Sequence, residues 1–221
     1  MNKLTVIIDY QLGNLFSVKQ ACDRVGLNAI ISSDKSDILK ADALILPGVG
    51  AFAEAMTNFK KLDLIEPLKE SVKAGKPLFG VCLGQQLLFT ESEEFGSSKG
   101  LDLIPGVIKK FPAYSGANNL IKVPQIGWNH IYRKNVEWRE TPLENVKENA
   151  YVYFVHSYYV EPANTQNILT QTNYSGIEYC SAVTNNKNIF ATQFHPEKSG
   201  QLGLGIYKKW AELFNLVNNG K

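Results

Sequence analysis

The chain has 221 residues, with 44% hydrophobic residues, 20% charged residues and a formal net charge of +2 at pH 7. The low net charge gives no support for a protein that binds nucleic acid or a membrane surface, and no stretch approaches the roughly 20 apolar residues that span a bilayer. Three widely spaced cysteines fit neither a disulfide framework nor a zinc site. We therefore expect a soluble, cytoplasmic protein with one α/β domain over residues 1–221.

The first half of the chain alternates predicted strands with predicted helices. Short apolar runs predict strands, and apolar residues at helical spacing predict the helices between them. The strands cover residues 4–8, 29–32, 43–46 and 77–81, and the helices cover 15–25, 51–59 and 64–74. Gly13 and Asn14 form the turn and cap before the first helix. Continuous apolar strands that alternate with helices are typical of a parallel sheet covered on both faces.

Beyond Gly100 the pattern changes to strands separated by turn signals. The predicted strands cover residues 107–111, 126–132, 151–160, 168–174, 181–184 and 189–194, and a helix over 202–217 follows them. Segments 96–100 and 112–119 are predicted to be mobile loops. The fold class is therefore α/β: an open, mixed, mainly parallel sheet with helices on both faces and a small antiparallel extension.

Cys82 lies where an apolar strand turns directly into a helix, with Gly80 and Gly84 two positions away on either side. Such a turn exposes its side chain at the carboxyl edge of the sheet, as the nucleophile elbow of serine hydrolases does. A Cβ atom at either glycine would crowd the bend. The helix N-terminus favours a thiolate, which is the nucleophilic form of cysteine. The alternative is a small buried apolar residue, as many free cysteines are.

A cysteine nucleophile needs a base and a group that orients the base. His195 follows the predicted strand 189–194, and Glu197 lies two residues further on, beyond the rigid Pro196. The carboxylate can therefore sit beside the imidazole. A His-Pro-Glu triplet can also be simple loop punctuation, so its meaning depends on the cysteine elbow.

The segment Pro47-Gly48-Val49-Gly50 ends the third predicted strand and should lie at the same sheet edge as Cys82. Its glycines allow a main-chain N–H group to point into the site and stabilise an oxyanion. The N–H group of Leu83, directly after the nucleophile, is a second candidate donor. The alternative is a plain strand-to-helix turn. A phosphate-binding loop is disfavoured because lysine and the longer glycine spacing are missing.

Together these motifs resemble class I glutamine amidotransferases, and among them most closely the glutaminase subunits of imidazole glycerol phosphate synthases. The resemblance covers nearly the whole chain. The motifs that carry it are Asp9-Tyr10, Gly13-Asn14-Leu15, Leu46-Pro47-Gly48-Val49-Gly50, Gly80-Val81-Cys82-Leu83-Gly84, Gly127-Trp128-Asn129, Tyr153-Phe154-Val155-His156-Ser157-Tyr158-Tyr159 and Gln193-Phe194-His195-Pro196-Glu197-Lys198-Ser199.

The resemblance implies a catalytic triad in which Cys82 attacks the carboxamide carbon of glutamine, His195 acts as base and then acid, and Glu197 orients His195. It implies no cofactor and no metal. The implied oxyanion hole comprises Val49, Gly50 and Leu83. The positions that hold the substrate are implied to be Gly48, Gln86, Glu94 and main-chain groups of Ser157 and Tyr158.

The resemblance also implies a heterodimer with a (β/α)8-barrel subunit that receives the ammonia, contacted through Asn14, Trp128 and Asn129. An exposed tryptophan in such a motif fits an interface hot spot. Gln85 stands where the family usually has methionine, and Gln125 where it more often has histidine. These departures leave two ammonia acceptors open: the precursor of imidazole glycerol phosphate in histidine biosynthesis, or a cell-surface sugar amidated by a paralogous barrel.

Two further function classes remain as alternatives: a non-catalytic binding module with the same fold, and a stand-alone cysteine hydrolase that needs no partner. His156, in a strand of aromatic residues, is either a second base or a packed, hydrogen-bonded histidine. For Glu94 the alternative to substrate binding is an exposed acid at a helix end.

Overall fold

A computed structural model describes residues 3–94, 96–115, 119–134 and 136–217. In chain order its strands are β1 (Leu4–Ile8), β2 (Asn28–Ser32), β3 (Ala43–Leu46), β4 (Leu78–Val81), β5 (Phe89–Ser92), β6 (Ser98–Lys99), β7 (Ile104–Lys110), β8 (Tyr114–Ser115), β9 (Asn119–Leu120), β10 (Gln125–Ile131), β11 (Ala150–His156), β12 (Tyr158–Pro162), β13 (Ile168–Tyr174), β14 (Ile177–Thr184) and β15 (Ile189–Thr192). The helices are α1 (Leu15–Arg24), α2 (Lys35–Lys40), α3 (Phe52–Lys61), α4 (Ile65–Lys73), α5 (Leu83–Leu87) and α6 (Gly200–Leu213). Short 3-10 turns cover Thr165–Asn167 and Pro196–Lys198.

Within these described ranges, eleven strands form one mixed sheet in the order β2-β1-β3-β4-β15-β14-β12-β7-β5-β6, with β13 paired to β14 off this path. The neighbours from β2 to β15 are parallel. Antiparallel pairing begins between β15 and β14. The predicted fold class, a mainly parallel sheet with an antiparallel extension, is therefore confirmed.

The parallel strands are buried on both faces because their successive side chains point to opposite sides. On β1, Val6 and Ile8 join the core beneath α2, α3, α4 and α5. Ile7, between them, joins the core beneath α1 and α6. Helices on both faces thus produce the continuous apolar runs that identified these strands.

The predicted strand over 151–160 is wrong, because the chain breaks it at Ser157. β11 pairs with β10 in a separate two-stranded sheet. β12 pairs with β7 in the main sheet. The carbonyl of Ser157 accepts the N–H group of Phe111 at this crossing. Apolar and aromatic residues continue on both sides of Ser157, so the alternation pattern does not reveal the break.

Two segments predicted to be loops contain strands. In 96–100, Ser98–Lys99 forms β6 and pairs with β5. In 112–119, the short strands β8 and β9 pair with each other, and residues 116–118 between them lie outside the described residues. Two-residue strands carry too little alternation for a sequence pattern to detect.

Candidate active site

The elbow at Cys82 follows β4 directly and precedes α5. Cys82 has φ 55° and ψ −108°, a strained combination for a residue with a side chain. Its N–H group donates to the carbonyl of Thr192 at 2.7 Å, which continues the pairing of β4 with β15. A Cβ atom on Gly84 would lie 1.8 Å from the carbonyl oxygen of Leu46, so only glycine fits there. The tight turn predicted from the flanking glycines is present.

His195 and Glu197 lie just beyond the end of β15, the strand beside β4. Nδ1 of His195 lies 2.7 Å from Oε1 of Glu197, and the two side chains are only 2% and 1% exposed. The N–H group of His195 donates to the carbonyl of Tyr153 in β11 at 2.8 Å. The imidazole ring is therefore held by the Glu197 carboxylate. The backbone of His195 is held by β11 of the two-stranded β10–β11 sheet, which we call the small sheet.

The charges around His195 favour its protonated form. Burial alone would lower the pKa of His195, but the Cys82 sulfur and the Glu197 carboxylate outweigh burial and raise it to about 10. Nε2 of His195 is buried and has no hydrogen-bond partner at normal distance among the described residues. Since the charge of Cys82 raises this pKa, the arrangement can hold a thiolate–imidazolium pair.

Two polar groups contact the sulfur of Cys82. The thiol donates to the carbonyl of Val155 at 3.8 Å, and Nε2 of Gln193 lies 3.7 Å from Sγ. Cys82 is 5% exposed, so the sulfur lies at the base of the site. Cys82 also belongs to the buried apolar cluster on this side of the sheet, so its sulfur has both polar and apolar neighbours.

The segment after β3 lies beside the elbow, as predicted. Tyr10 donates its phenol hydrogen to the carbonyl of Pro47 at 2.6 Å, and a Cβ atom on Gly48 would lie 2.0 Å from that phenol oxygen. Gly50 has φ 108°, whereas Val49 is partly exposed. Leu83 is the first residue of α5, so its N–H group has no acceptor within the helix.

Gln86 and Glu94, the two side chains expected to hold the substrate, both form hydrogen bonds within the protein. Nε2 of Gln86 donates to the carbonyl of Tyr158 and to Oε1 of Gln193, each at 3.0 Å. Oε2 of Glu94 accepts the N–H group of Phe52 at 2.5 Å. Glu94 therefore caps the N-terminus of α3, where Ala51 offers no side-chain cap. Glu94 is therefore an acid at a helix end, as the alternative to substrate binding holds, but it is only partly exposed.

Ser157 and Tyr158 lie at the crossing between β11 and β12. Their carbonyl oxygens already accept hydrogen bonds, Ser157 from Phe111 and Tyr158 from Gln86. Burial and the nearby Glu94 carboxylate raise the pKa of the Tyr158 phenol. Glu94 and Tyr158 thus face the same region.

His156 is a packed, hydrogen-bonded histidine. Its Nδ1 lies 2.8 Å from the carbonyl oxygen of Tyr158, and its Nε2 lies 3.2 Å from the phenol oxygen of Tyr179. Burial lowers the pKa of His156 to about 3, so it is neutral at physiological pH. Both nitrogens are occupied, which leaves none for a reacting group.

The three residues expected to face a partner differ in their exposure and in the hydrogen bonds that their side chains already form. Trp128 on β10 is 55% exposed and packs edge-on against Tyr153 of β11, with ring centroids 6.0 Å apart. Asn129 donates to the carbonyl of Asn173 at 2.9 Å. Asn14 caps α1 by accepting the N–H group of Ser17 at 3.3 Å. Only Trp128 of the three offers a large exposed side chain.

A family model described as glutamine amidotransferase class-I matches residues 6–207. The chain belongs to the class I glutamine amidotransferases. It is 47% identical over 214 residues to the imidazole glycerol phosphate synthase subunit HisH of Methanosarcina barkeri, covering 96% of this chain and 99% of the relative. It is 42% identical to the subunit of that name from Geobacter metallireducens, covering 93% of this chain and 96% of the relative.

Solved structures agree on the amidotransferase fold. PurLQS from Thermotoga maritima superposes with a TM-score of 0.71 over 96% of this chain and 99% of that chain, at 16% identity. In the part of the chain that the structure describes, no helix is long and apolar enough to span a membrane. No cluster of histidine, cysteine, aspartate and glutamate among the described residues could hold a metal ion.

Two residues of this amidotransferase site carried no predicted role. Tyr10, whose pKa is raised by burial and by the charge of Cys82, supports Pro47 from the end of β1. Gln193 contacts the sulfur. Gln193 comes directly after β15, and Tyr10 comes two residues after β1. A polar side chain just beyond the carboxyl end of an apolar strand is the signal that could have identified them.

Proposed function

We propose that this amidotransferase is a glutaminase that hydrolyses glutamine to glutamate and ammonia, with Cys82, His195 and Glu197 as its triad. The observation that carries the proposal is the 2.7 Å contact of Glu197 with Nδ1 of His195, at the end of the strand that neighbours the Cys82 strand. This contact fixes the tautomer, so that Nε2 is the nitrogen left to exchange a proton with sulfur and substrate.

The proposed reaction has two halves. The Cys82 thiolate adds to the carboxamide carbon, and imidazolium His195 then protonates the leaving nitrogen, so that ammonia departs and a γ-glutamyl thioester forms. His195 next removes a proton from the water that attacks the thioester and becomes imidazolium again. The C–S bond then breaks, which releases glutamate and regenerates the Cys82 thiolate. The negative oxygen of each tetrahedral intermediate is assigned to the N–H groups of Leu83 and of the Val49–Gly50 segment.

The substrate is assigned to the cleft formed by Gly48, Gln86, Glu94, Ser157 and Tyr158. The N–H groups of Ser157 and Tyr158, at the crossing between β11 and β12, are assigned to the carboxylate end of glutamine. The Glu94 carboxylate faces Tyr158 and is assigned to the substrate ammonium group, in addition to its role as the cap of α3. Neither a cofactor nor a metal takes part.

We further propose that the ammonia passes to a (β/α)8-barrel cyclase subunit that makes imidazole glycerol phosphate in histidine biosynthesis. The shared name of the relatives supports this acceptor over the amidation of a sugar. Trp128, Asn129 and Asn14 are assigned to the contact with the barrel. Residues 1–221 are taken to form one domain. The free state of Cys22, Cys82 and Cys180 supports the cytoplasm as the location of the protein.

The test is Cys82→Ala in the complex of this chain with its barrel subunit. Glutamine-dependent synthesis should fall to background, because no other described group can form the thioester. Synthesis from added ammonium should stay at the parental rate, because the barrel reaction does not use Cys82. Retained glutamine-dependent synthesis would exclude the proposed nucleophile, and parental glutamine hydrolysis by the chain without any partner would favour a stand-alone hydrolase.

A further inference from the structure

Gln193 links the nucleophile to the side chain assigned to the substrate. Its Nε2 lies 3.7 Å from the sulfur of Cys82, and its Oε1 lies 3.0 Å from Nε2 of Gln86. The residue is 0% exposed. Because this amide is shielded from bulk water, Cys82 and Gln86 are the hydrogen-bond partners that define its role.

The orientation of this amide follows from one backbone group. The carbonyl of Tyr158 can only accept, so the atom of Gln86 that lies 3.0 Å from it is the NH₂ group. That NH₂ group has a second hydrogen, which makes the facing atom of Gln193 its oxygen. The nitrogen of Gln193 therefore faces the sulfur, and Gln193 is a donor to Cys82.

The backbone holds Gln193 in register with the nucleophile. β15 runs parallel to β4 with Thr192 opposite Val81, so the next residues on the two strands, Gln193 and Cys82, are neighbours. The N–H group of Gln193 donates to the carbonyl of Ser181 at 2.8 Å. This bond fixes the backbone of Gln193 to β14, and the burial of the side chain keeps its amide beside the sulfur and Gln86.

We propose that Gln193 is a positioning residue of the glutaminase, holding the Cys82 sulfur with its amide hydrogen and Gln86 with its amide oxygen. The inference rests on the function proposed above. A neutral donor beside sulfur favours the thiolate, and the same amide sets the distance from that thiolate to the side chain assigned to the substrate. Gln193 itself gains and loses no proton.

Two titratable groups face the sulfur besides the amide of Gln193. The charge of Cys82 raises the pKa of His195, in the segment after β15, and that of Tyr10, near the end of β1. The neutral His156 on β11 is hydrogen-bonded to Tyr158. His195 supplies the charge and Gln193 supplies a fixed hydrogen bond, so the two contributions can be separated by substitution.

The experiment measures the rate of alkylation of Cys82 by iodoacetamide against pH in the full chain, with the modified peptide quantified by mass spectrometry. Burial raises the pKa of Cys22 to about 12 and also raises that of Cys180, so these thiols do not interfere. In Gln193→Met, which keeps the length and loses the donor, the pH midpoint for Cys82 should rise by about one unit.

The second readout is glutamine turnover in the complex with the barrel subunit. Gln193→Met should lower kcat by about tenfold or more, since a hydrogen bond to a charged group is lost, and should raise KM because Gln86 loses its partner. If the methionine variant does not fold, the same two measurements are made on Gln193→Glu. This variant has the same shape as the parent and places an acceptor against the sulfur.

Gln85→Met is the matched control. Gln85 is also 0% exposed, and both atoms of its amide have no hydrogen-bond partner among the described residues. Its substitution should leave the alkylation midpoint unchanged. An unchanged midpoint in a folded Gln193 variant would overturn the inference alone. A parental Cys82 that is alkylated no faster than an ordinary thiol would instead count against the proposed function.

Discussion

At the scale of single residues, the backbone conformation of Cys82 determines where its sulfur lies. A side chain at φ 55° and ψ −108° costs about 1–3 kcal/mol. The structure retains this conformation because the N–H group of Cys82 is fixed to Thr192 at 2.7 Å and Gly84 packs against the carbonyl of Leu46. The strain directs the sulfur to the sheet edge, where His195 lies.

The Glu197 carboxylate is predicted to act through His195. In Glu197→Gln the acceptor for Nδ1 is weakened and the pKa of His195 falls, because the carboxylate is one of the groups that raise it. Glutamine-dependent turnover in the complex should decrease by about 10²–10⁴-fold, while synthesis from ammonium is unaffected. Turnover within twofold of the parent would contradict the triad.

The same variant has a pH signature in stability. The folded-state pKa of His195, about 10, lies above its ordinary value of 6.5. The imidazolium contacts therefore stabilise the fold fully below pH 6.5, and this contribution is lost as the pH rises towards 10. Urea unfolding should show that Glu197→Gln lowers the free energy of unfolding more at pH 6.5 than at pH 10. An equal loss at both values would indicate that His195 is neutral in the fold.

At the scale of elements, the close packing of α6 on the turn that precedes it positions His195. A Cβ atom on Gly203 would lie 1.8 Å from the carbonyl oxygen of Pro196, whereas one on Gly205 would meet nothing within 4 Å. Both glycines lie inside α6. The helix can therefore approach the His195–Glu197 segment only because residue 203 has no side chain.

These two glycines give opposite predictions. Gly203→Ala should lower the free energy of unfolding by about 1–3 kcal/mol, as overpacking does, and should also lower glutamine turnover because Pro196 is displaced. Gly205→Ala should raise the free energy of unfolding by about 0.5–1 kcal/mol. Chemical denaturation measures both changes. A stabilised Gly203→Ala variant would show that α6 can shift without cost.

The sequence predicted the parallel half of the sheet because its strands are apolar on both faces, as β1 and β3 are. It missed the break at Ser157, since the pairing of β11 with β10 depends on contacts distant in sequence. For the site, Cys82, His195 and Glu197 follow from their positions after strands. The contacts of Gln193 and the capping by Glu94 depend on side chains brought together from separate segments, which local patterns do not report.

At the scale of the whole molecule, the two-stranded sheet of β10 and β11 presents one face to solvent and its other face to the core. Ile126, Trp128 and Tyr151 are exposed on the outer face, whereas Val152 and Phe154 are buried. Three exposed large side chains on two paired strands are more than scattered surface residues. Of the three residues proposed to contact the barrel, Trp128 is the one on this face, whereas Asn129 follows it on β10 and bonds to Asn173.

Trp128→Ala is predicted to weaken the complex by roughly 2 kcal/mol, since the tryptophan offers a large, rigid contact surface. Isothermal titration with the barrel subunit measures the change. Leu39→Ala on α2, which replaces an exposed hydrophobic residue of another face, is the control and should leave the affinity unchanged. Unchanged affinity for Trp128→Ala would place the contact elsewhere.

The hydrogen bond from His195 to the carbonyl of Tyr153 ties the base to the small sheet, while Cys82 is built on the large one. His195 itself follows β15 of the main sheet, next to β4, so its position depends on both sheets. A displacement of β11 would therefore reach His195 through a single main-chain hydrogen bond.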